Sequence, residues 1–126
     1  MHPENLLYSA EHVWLKQETG GNVRLGITFH YQDKLKKIVY VDLPQLSSRI
    51  GCGETLVSLE SSKTAVDLPS PVSGTVLEVN QNLQDKPGLV NKDPYGEGWM
   101  VLLKPDSQDD LNTLLSAKKY ISSIVD

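Results

Sequence analysis

The chain has 126 residues, 39% hydrophobic and 22% charged, which suits one globular domain spanning 1–126 with one core and excludes a second domain. A formal net charge of −4 excludes nucleic acid and anionic membrane as main partners, since both reward a basic surface. No run approaches the roughly 18 to 20 apolar residues of a membrane span, and the opening MHPENLLYSAEH lacks the basic start and apolar stretch of an export signal, so a cytoplasmic protein is expected.

In chain order, apolar and β-branched runs predict strands at Val13–Lys16, Asn22–Thr28, Ile38–Leu43, Glu54–Leu59, Thr64–Leu68, Ser73–Val79 and Trp99–Lys104. Gly20-Gly21, Pro44, Gly51-Cys52-Gly53, Pro69 to Pro71, Pro87-Gly88 and Pro94 to Gly98 separate them. Proline fixes φ and withholds a donor, and glycine accepts the turn conformations other residues avoid, so such clusters end strands. The pattern is that of a mainly β sandwich or barrel. A short helix is predicted from Thr28 to about Lys36, with Tyr31 and Leu35 on one face. A C-terminal helix is predicted from Ser107, with Asp110 at capping-box spacing and an apolar stripe of Leu111, Leu114 and Leu115. The stripe continues less regularly through Ala117, Ile121 and Ile124, with a break expected near Ala117 to Lys119. Cys52, the one cysteine, has no disulfide partner and no neighbour at metal-ligand spacing.

The segment ESSKTAVDLPSP, Glu60 to Pro71, reads as the end of one strand, a tip and a second strand. Val57 and Leu59 share one face of the first arm, and Thr64, Val66 and Leu68 one face of the second; Ser58, Glu60, Ala65 and Asp67 fall on the opposite faces. One side of this hairpin should be buried while the tip, Ser61 to Lys63, stands in water. The tip holds no glycine or asparagine, so a type I′ turn is not indicated and its register stays open.

Phosphate-binding glycine loops, HExxH, GxSxG and paired CxxC are absent, and His2, His12 and His30 are scattered. Neither catalytic residues nor a metal site are indicated. Lys63 is the residue left to explain. A Schiff-base lysine needs desolvation or neighbouring cations to lower its pKa, whereas Glu60 and Asp67 flank this one. An exposed amine on a rigid hairpin suits a different use: another enzyme can reach it and leave an acyl group on a mobile arm.

These residues resemble the glycine cleavage system H protein family. Glu60-Ser61-Ser62-Lys63 is similar to its E-S-x-K lipoylation motif, and Ser70-Pro71-Val72-Ser73-Gly74 with Glu78-Val79-Asn80 resembles the P-[VI]-S-G…E-V-N stretch behind it. Tyr8-Ser9 with His12 and Trp14, Leu25-Gly26-Ile27-Thr28, Val39 to Pro44, Pro87 to Asn91, Asp93-Pro94-Tyr95, Gly98-Trp99 and Leu114-Leu115…Tyr120 resemble further family segments in order, so the likeness runs from about Tyr8 to Tyr120. It implies a flattened β-barrel or sandwich of the lipoyl/biotinyl hammerhead type, with short helices and a C-terminal helical segment. Lys63 would carry lipoate in amide linkage, placed by a lipoate ligase or lipoyltransferase, with Glu60 and Ser61 part of the modification motif. The protein would be a non-catalytic carrier subunit. It would take an aminomethyl group from a pyridoxal-phosphate glycine decarboxylase, deliver it to an aminomethyltransferase and be reoxidised by dihydrolipoamide dehydrogenase. Biotin carriers place methionines around their lysine and dehydrogenase-complex lipoyl domains favour D-K-A, whereas Ser62 and Thr64 flank Lys63.

Four residues at three places depart from the family pattern. Val13 stands where His-Glu-Trp has its glutamate, Phe29 follows Gly26-Ile27-Thr28 in place of an acid, and Lys36-Lys37 replace a glycine and an acid. The family shelters its loaded arm in a cleft of carboxylate and hydroxyl groups; the candidates here are Ser9, Glu11 and Asp67. Strand alternation would put Glu11 on the same side as Val13. The departures leave open a divergent H-like carrier that relays lipoate to other enzymes.

Overall fold

The computed structural model describes residues 2–124; residues 1, 125 and 126 of the expected domain lie outside the described residues. Among these, nine strands form two sheets with every neighbouring pair antiparallel. The strands are β1 (Leu7–Tyr8), β2 (Val13–Gln17), β3 (Val23–Ile27), β4 (Ile38–Asp42), β5 (Arg49–Ile50), β6 (Thr55–Ser61), β7 (Ala65–Pro69), β8 (Gly74–Val79) and β9 (Val101–Pro105). One sheet has the order β1-β2-β3-β9-β8-β5, the other β4-β6-β7. All seven predicted strands are present, displaced by at most two residues at an end. The two missed, β1 and β5, are two residues long, too short for a period-two pattern to register.

The main core lies between the sheets. Val13, Leu15, Val23, Leu25 and Ile27 face it from one side and Ile38, Val41, Val57, Leu59 and Leu68 from the other. The opposite side of β2 buries Trp14 in a smaller cluster with Leu6, Tyr8, Ala117 and Tyr120. Trp14 lies over Gly26, its cross-strand partner, where a Cβ would sit 2.7 Å from the indole ring, so only glycine fits beneath it. The indole N–H donates to the Pro94 carbonyl at 2.9 Å. Buried Asn80 donates to the carbonyls of Glu97 and Trp99 at 2.7 and 2.8 Å, fastening the loop that carries Pro94.

The described residues also form four α-helices: α1 (Phe29–Leu35), α2 (Asn82–Asp85), α3 (Leu89–Lys92) and α4 (Ala117–Ser123). Helix α1 forms where expected, capped by Thr28 Oγ1, which accepts from Tyr31 N at 3.3 Å. Leu35 is buried and Tyr31 packs against the core. The helix expected from Ser107 is corrected. A 3-10 segment, Gln108–Thr113, comes first, then the chain extends, and α4 begins at Ala117 with Ser116 as its cap. The break falls three residues earlier than expected because Leu115 pairs with Tyr8 through two backbone hydrogen bonds of 2.7 and 2.8 Å. Non-local pairing thereby overrides local helical pattern. Helices α2 and α3 were not foreseen, being one turn each. No helix among the described residues is long and apolar enough to cross a membrane.

Gly74 opens β8 opposite Pro105, and a Cβ there would run into the Lys104 carbonyl oxygen and lie 3.0 Å from the Leu103 side chain. Backbone cannot yield as a flexible side chain can. Gly74→Val is expected to cost about 1–3 kcal/mol of stability, the range for overpacking a filled site, read as a lowered urea midpoint; an unchanged midpoint would show that β8 and β9 separate freely here.

Candidate functional site

The β6–β7 hairpin pairs Ser58 with Asp67, Leu59 with Val66 and Glu60 with Ala65. Val57, Leu59 and Leu68 are buried, while Glu60, Ala65 and Asp67 are exposed on the other side, as the alternation requires. Across the wet face Ser58 Oγ donates to Asp67 Oδ1 at 2.7 Å.

The hairpin closes in an unusual way. Ser61 N donates to the Thr64 carbonyl at 2.7 Å, leaving Ser62 and Lys63 as the two tip residues. Neither has positive φ, so the turn is not type I′. The Ser61 hydroxyl supplies the rest of the closure, accepting from Thr64 N at 3.0 Å and Lys63 N at 3.2 Å and donating to the Thr64 carbonyl at 3.0 Å. A side chain thus does what a turn-forming backbone does elsewhere. Lys63 is exposed. Its Nζ donates only to the Lys34 carbonyl, at a long 3.4 Å, and the ion pairs among the described residues, Arg24–Glu18 and Arg49–Asp106, do not include it.

Along β7 from the tip a cavity of about 290 Å³ opens, lined by Glu11, His12, Tyr31 and Asp67 above Leu68 and Pro69. It brings Glu11 and Asp67 together and leaves Ser9 out. Ser9 is buried, and its hydroxyl accepts from Val13 N at 3.1 Å. That bond tightens a turn in which His12 takes φ 75°, so the chain is not a regular strand from 11 to 13. The expectation that Glu11 and Val13 share a side fails for this reason: Val13 is 0% exposed in the core, while Glu11 is exposed and faces the cavity. Glu60 lies across from Tyr40 and outside the cavity lining.

Sequence reasoning missed His12 and Tyr31 as cavity residues. Their rings lie 4.8 Å apart. His12 Nδ1 is 2.7 Å from the Tyr120 hydroxyl, which lies 2.8 Å from Thr28 Oγ1, linking the cavity wall to α4. Burial, then the neighbouring His30 and Lys34, push the His12 pKa below the ordinary imidazole value, and burial raises that of Tyr120. The sequence signal available was the His12-Val13-Trp14 triplet, which points to packing rather than to a cavity.

A family model described as Glycine cleavage H-protein matches residues 6–126. A glycine cleavage system H protein of Acinetobacter baumannii strain AYE is 48% identical over 119 residues, covering 94% of this chain and 95% of that one. One from Psychrobacter is 45% identical over 118 residues, covering 94% of each. This chain belongs to the glycine cleavage H-protein family. The crystal structure of a Mycobacterium marinum glycine cleavage system H protein superposes with a TM-score of 0.86 at 35% identity, covering 95% of this chain and 96% of that one. The two-sheet architecture is therefore the H-protein fold, and none of these relatives points to the alternative lipoate-relay reading.

Two outcomes follow for this H-protein family member. Ser61→Ala should leave global stability within about 1 kcal/mol, the net worth of an exposed hydrogen bond, yet speed hydrogen exchange at the Lys63 and Thr64 amides; unchanged exchange there would deny the hydroxyl its role in the turn. The second concerns pH. With its pKa depressed on folding, His12 binds a proton less readily folded than unfolded, so unfolding takes up protons as pH falls below 6.5. Its contribution is therefore fully present above 6.5 and lost as pH falls toward the lower folded value. His2, lowered chiefly by burial, acts in the same direction. His12→Asn, a residue that tolerates positive φ, should flatten but not abolish the fall in urea midpoint below pH 6.5; an identical pH profile would contradict the assignment.

Proposed function

We propose that the chain is the lipoyl carrier of a glycine cleavage system and that Lys63 is its attachment point. The observation that carries this reading is a lysine at the exposed tip of a two-residue hairpin loop, closed by the Ser61 hydroxyl, in a chain of H-protein fold. The residues present fit lipoate. Acylating Nζ would remove a charge that forms no ion pair among the described residues and would break one long hydrogen bond. When bound, lipoate supplies a dithiolane that accepts and releases an aminomethyl group and two electrons, chemistry no side chain of this protein offers.

The protein's own part is to anchor, present and shelter. Buried Val57, Leu59 and Leu68 hold the hairpin to the core so that the amine stands at a fixed place. Asp67, four residues along the chain from Lys63, and Glu11 put two carboxylates on one cavity, a lining suited to an ammonium-bearing cargo through charge-assisted hydrogen bonds. Glu11 takes the position that Val13, turned into the core, cannot serve. As a non-catalytic subunit working in the cytoplasm, the chain would meet a pyridoxal-phosphate glycine decarboxylase, an aminomethyltransferase and dihydrolipoamide dehydrogenase in turn, after modification by a lipoate ligase or lipoyltransferase.

Incubation of the protein with lipoate, ATP and a lipoate ligase should add the mass of one lipoyl group, located on Lys63 by peptide mapping. Lys63→Arg keeps the charge without an acylatable amine, so it should fold normally, gain no mass and support no glycine–bicarbonate exchange with the decarboxylase. Full exchange by that variant, or modification of another lysine in its place, would refute the assignment.

A further inference from the structure

The tip is seated on the α1–β4 linker. Ser62 N donates to the Lys37 carbonyl at 2.9 Å, and Lys63 Nζ reaches the Lys34 carbonyl at 3.4 Å. Between these two carbonyls lies Lys36, at φ 69° and ψ −150°. That region is essentially reserved for glycine, and other residues remain in it only where their surroundings hold them.

The holding group is the Asn91 side chain, on α3. Its Nδ2 donates to the Lys36 carbonyl at 2.8 Å and to Gln32 Oε1 at 2.7 Å, and its Oδ1 accepts from Ile38 N at 2.8 Å. Both amide hydrogens and the carbonyl oxygen are thus engaged, on helix, linker and strand together. The Gln32 carbonyl accepts from Lys36 N at 2.9 Å and its side chain donates to the Phe29 carbonyl at 3.1 Å, closing the clamp on α1.

We propose that Asn91 is a positioning residue for the acylation of Lys63: by clamping the strained linker it holds the Lys37 carbonyl under Ser62 and so keeps the tip in the turn an acylating enzyme binds. This rests on Lys63 being the attachment point. In that step the unprotonated Lys63 amine attacks the carbonyl carbon of a lipoyl adenylate. A C–N bond forms, the adenylate oxygen leaves with the electron pair of the broken C–O bond, and the amine's surplus proton passes to solvent. The amine is correctly presented only while the tip is seated. A substrate populating its competent form for a fraction of the time binds more weakly by that fraction, whereas turnover of the bound complex is unaffected.

The experiment uses the full-length unmodified chain with lipoate, ATP and a lipoate ligase, following intact mass against carrier concentration. Asn91→Asp keeps the acceptor for Ile38 N and loses both donors; Asn91→Ala loses both donors and the acceptor, without adding charge. Asn91→Asp, short of two hydrogen bonds, should raise the KM for the carrier about thirtyfold, and Asn91→Ala, short of three, by at least that, each with kcat retained, and both should accelerate hydrogen exchange at the Ser62 amide while the Leu59 amide stays protected. Lys36→Gly, which removes the backbone strain, should restore most of the KM in the Asn91→Asp background. A merely structural asparagine would lower the urea midpoint without this split and without rescue by glycine. Unchanged KM in both Asn91 variants, or no rescue by Lys36→Gly, overturns the inference; a wild-type chain that never gains the lipoyl mass overturns the Lys63 assignment and this inference with it.

Discussion

Lys63 stands at a tip because of the register between β6 and β7, and the core sets that register. Val57, Leu59 and Leu68 are each about 1% exposed on the inner side of the hairpin. A slip of one residue would turn them to water and bring Ser58, Glu60 and Asp67 inward. Three such side chains represent about 5–9 kcal/mol of burial at roughly 1.5–3 kcal/mol each, before the cost of an unpaired buried carboxylate. The exposed hydrogen bonds of the one Ser61 hydroxyl together contribute about 1 kcal/mol. Burial therefore decides where the tip lies, and Ser61 decides only its local shape. That division explains how a Ser-Lys loop without glycine or asparagine closes a hairpin.

The cavity beside the hairpin depends on both sheets. Asp67, Leu68 and Pro69 come from the three-stranded sheet, Glu11 and His12 from the turn that leads into β2 of the other, and Tyr31 from α1. The left-handed backbone at His12 carries the electrostatic consequence. It sends Val13 into the core and leaves Glu11 outside, so of the two positions 11 lines this cavity and 13 does not. Ser9 braces that turn by accepting from Val13 N, and it lies outside the lining of this cavity.

What could be read from the sequence follows the range of the forces involved. Strand alternation, the helix after Thr28 and its Tyr31/Leu35 face are local, and the structure has them. The C-terminal segment was misread because its decisive partner, Tyr8, lies more than a hundred residues from Leu115. The side taken by Glu11 was misread because one residue at positive φ resets alternation, and histidine does not announce that conformation as glycine does. The likeness to H proteins singles out Lys63 and Ser61 and makes Asp67 a cleft candidate, which lines the cavity, but it does not mark His12 or Tyr31 as cavity wall. Asn91 appeared only as the last letter of a matched loop; its partners lie 53 to 59 residues away in sequence, beyond any periodic pattern.

Rigidity falls off in steps from the core to the amine. The inner face of the hairpin is fixed by side-chain burial that nothing nearby opposes. The linker beneath the tip is a closer contest, since a lysine in a glycine-favoured conformation costs about 1–3 kcal/mol and the three hydrogen bonds of Asn91 contribute about 1 kcal/mol each. Beyond that lies Lys63, fixed in backbone and nearly unheld in side chain. An acylating enzyme needs a defined turn to recognise, whereas an arm that visits several active sites must not adhere to its own protein. On the proposed assignment of Lys63 both demands are met at one residue because the restraint ends at its backbone amide: Ser61 holds Lys63 N, and among the described residues only a long contact to a carbonyl holds Nζ. Had the amine been paired with Glu60, four bonds of side chain would have been tied down with it, and acylation would have had to break an ion pair before forming the amide.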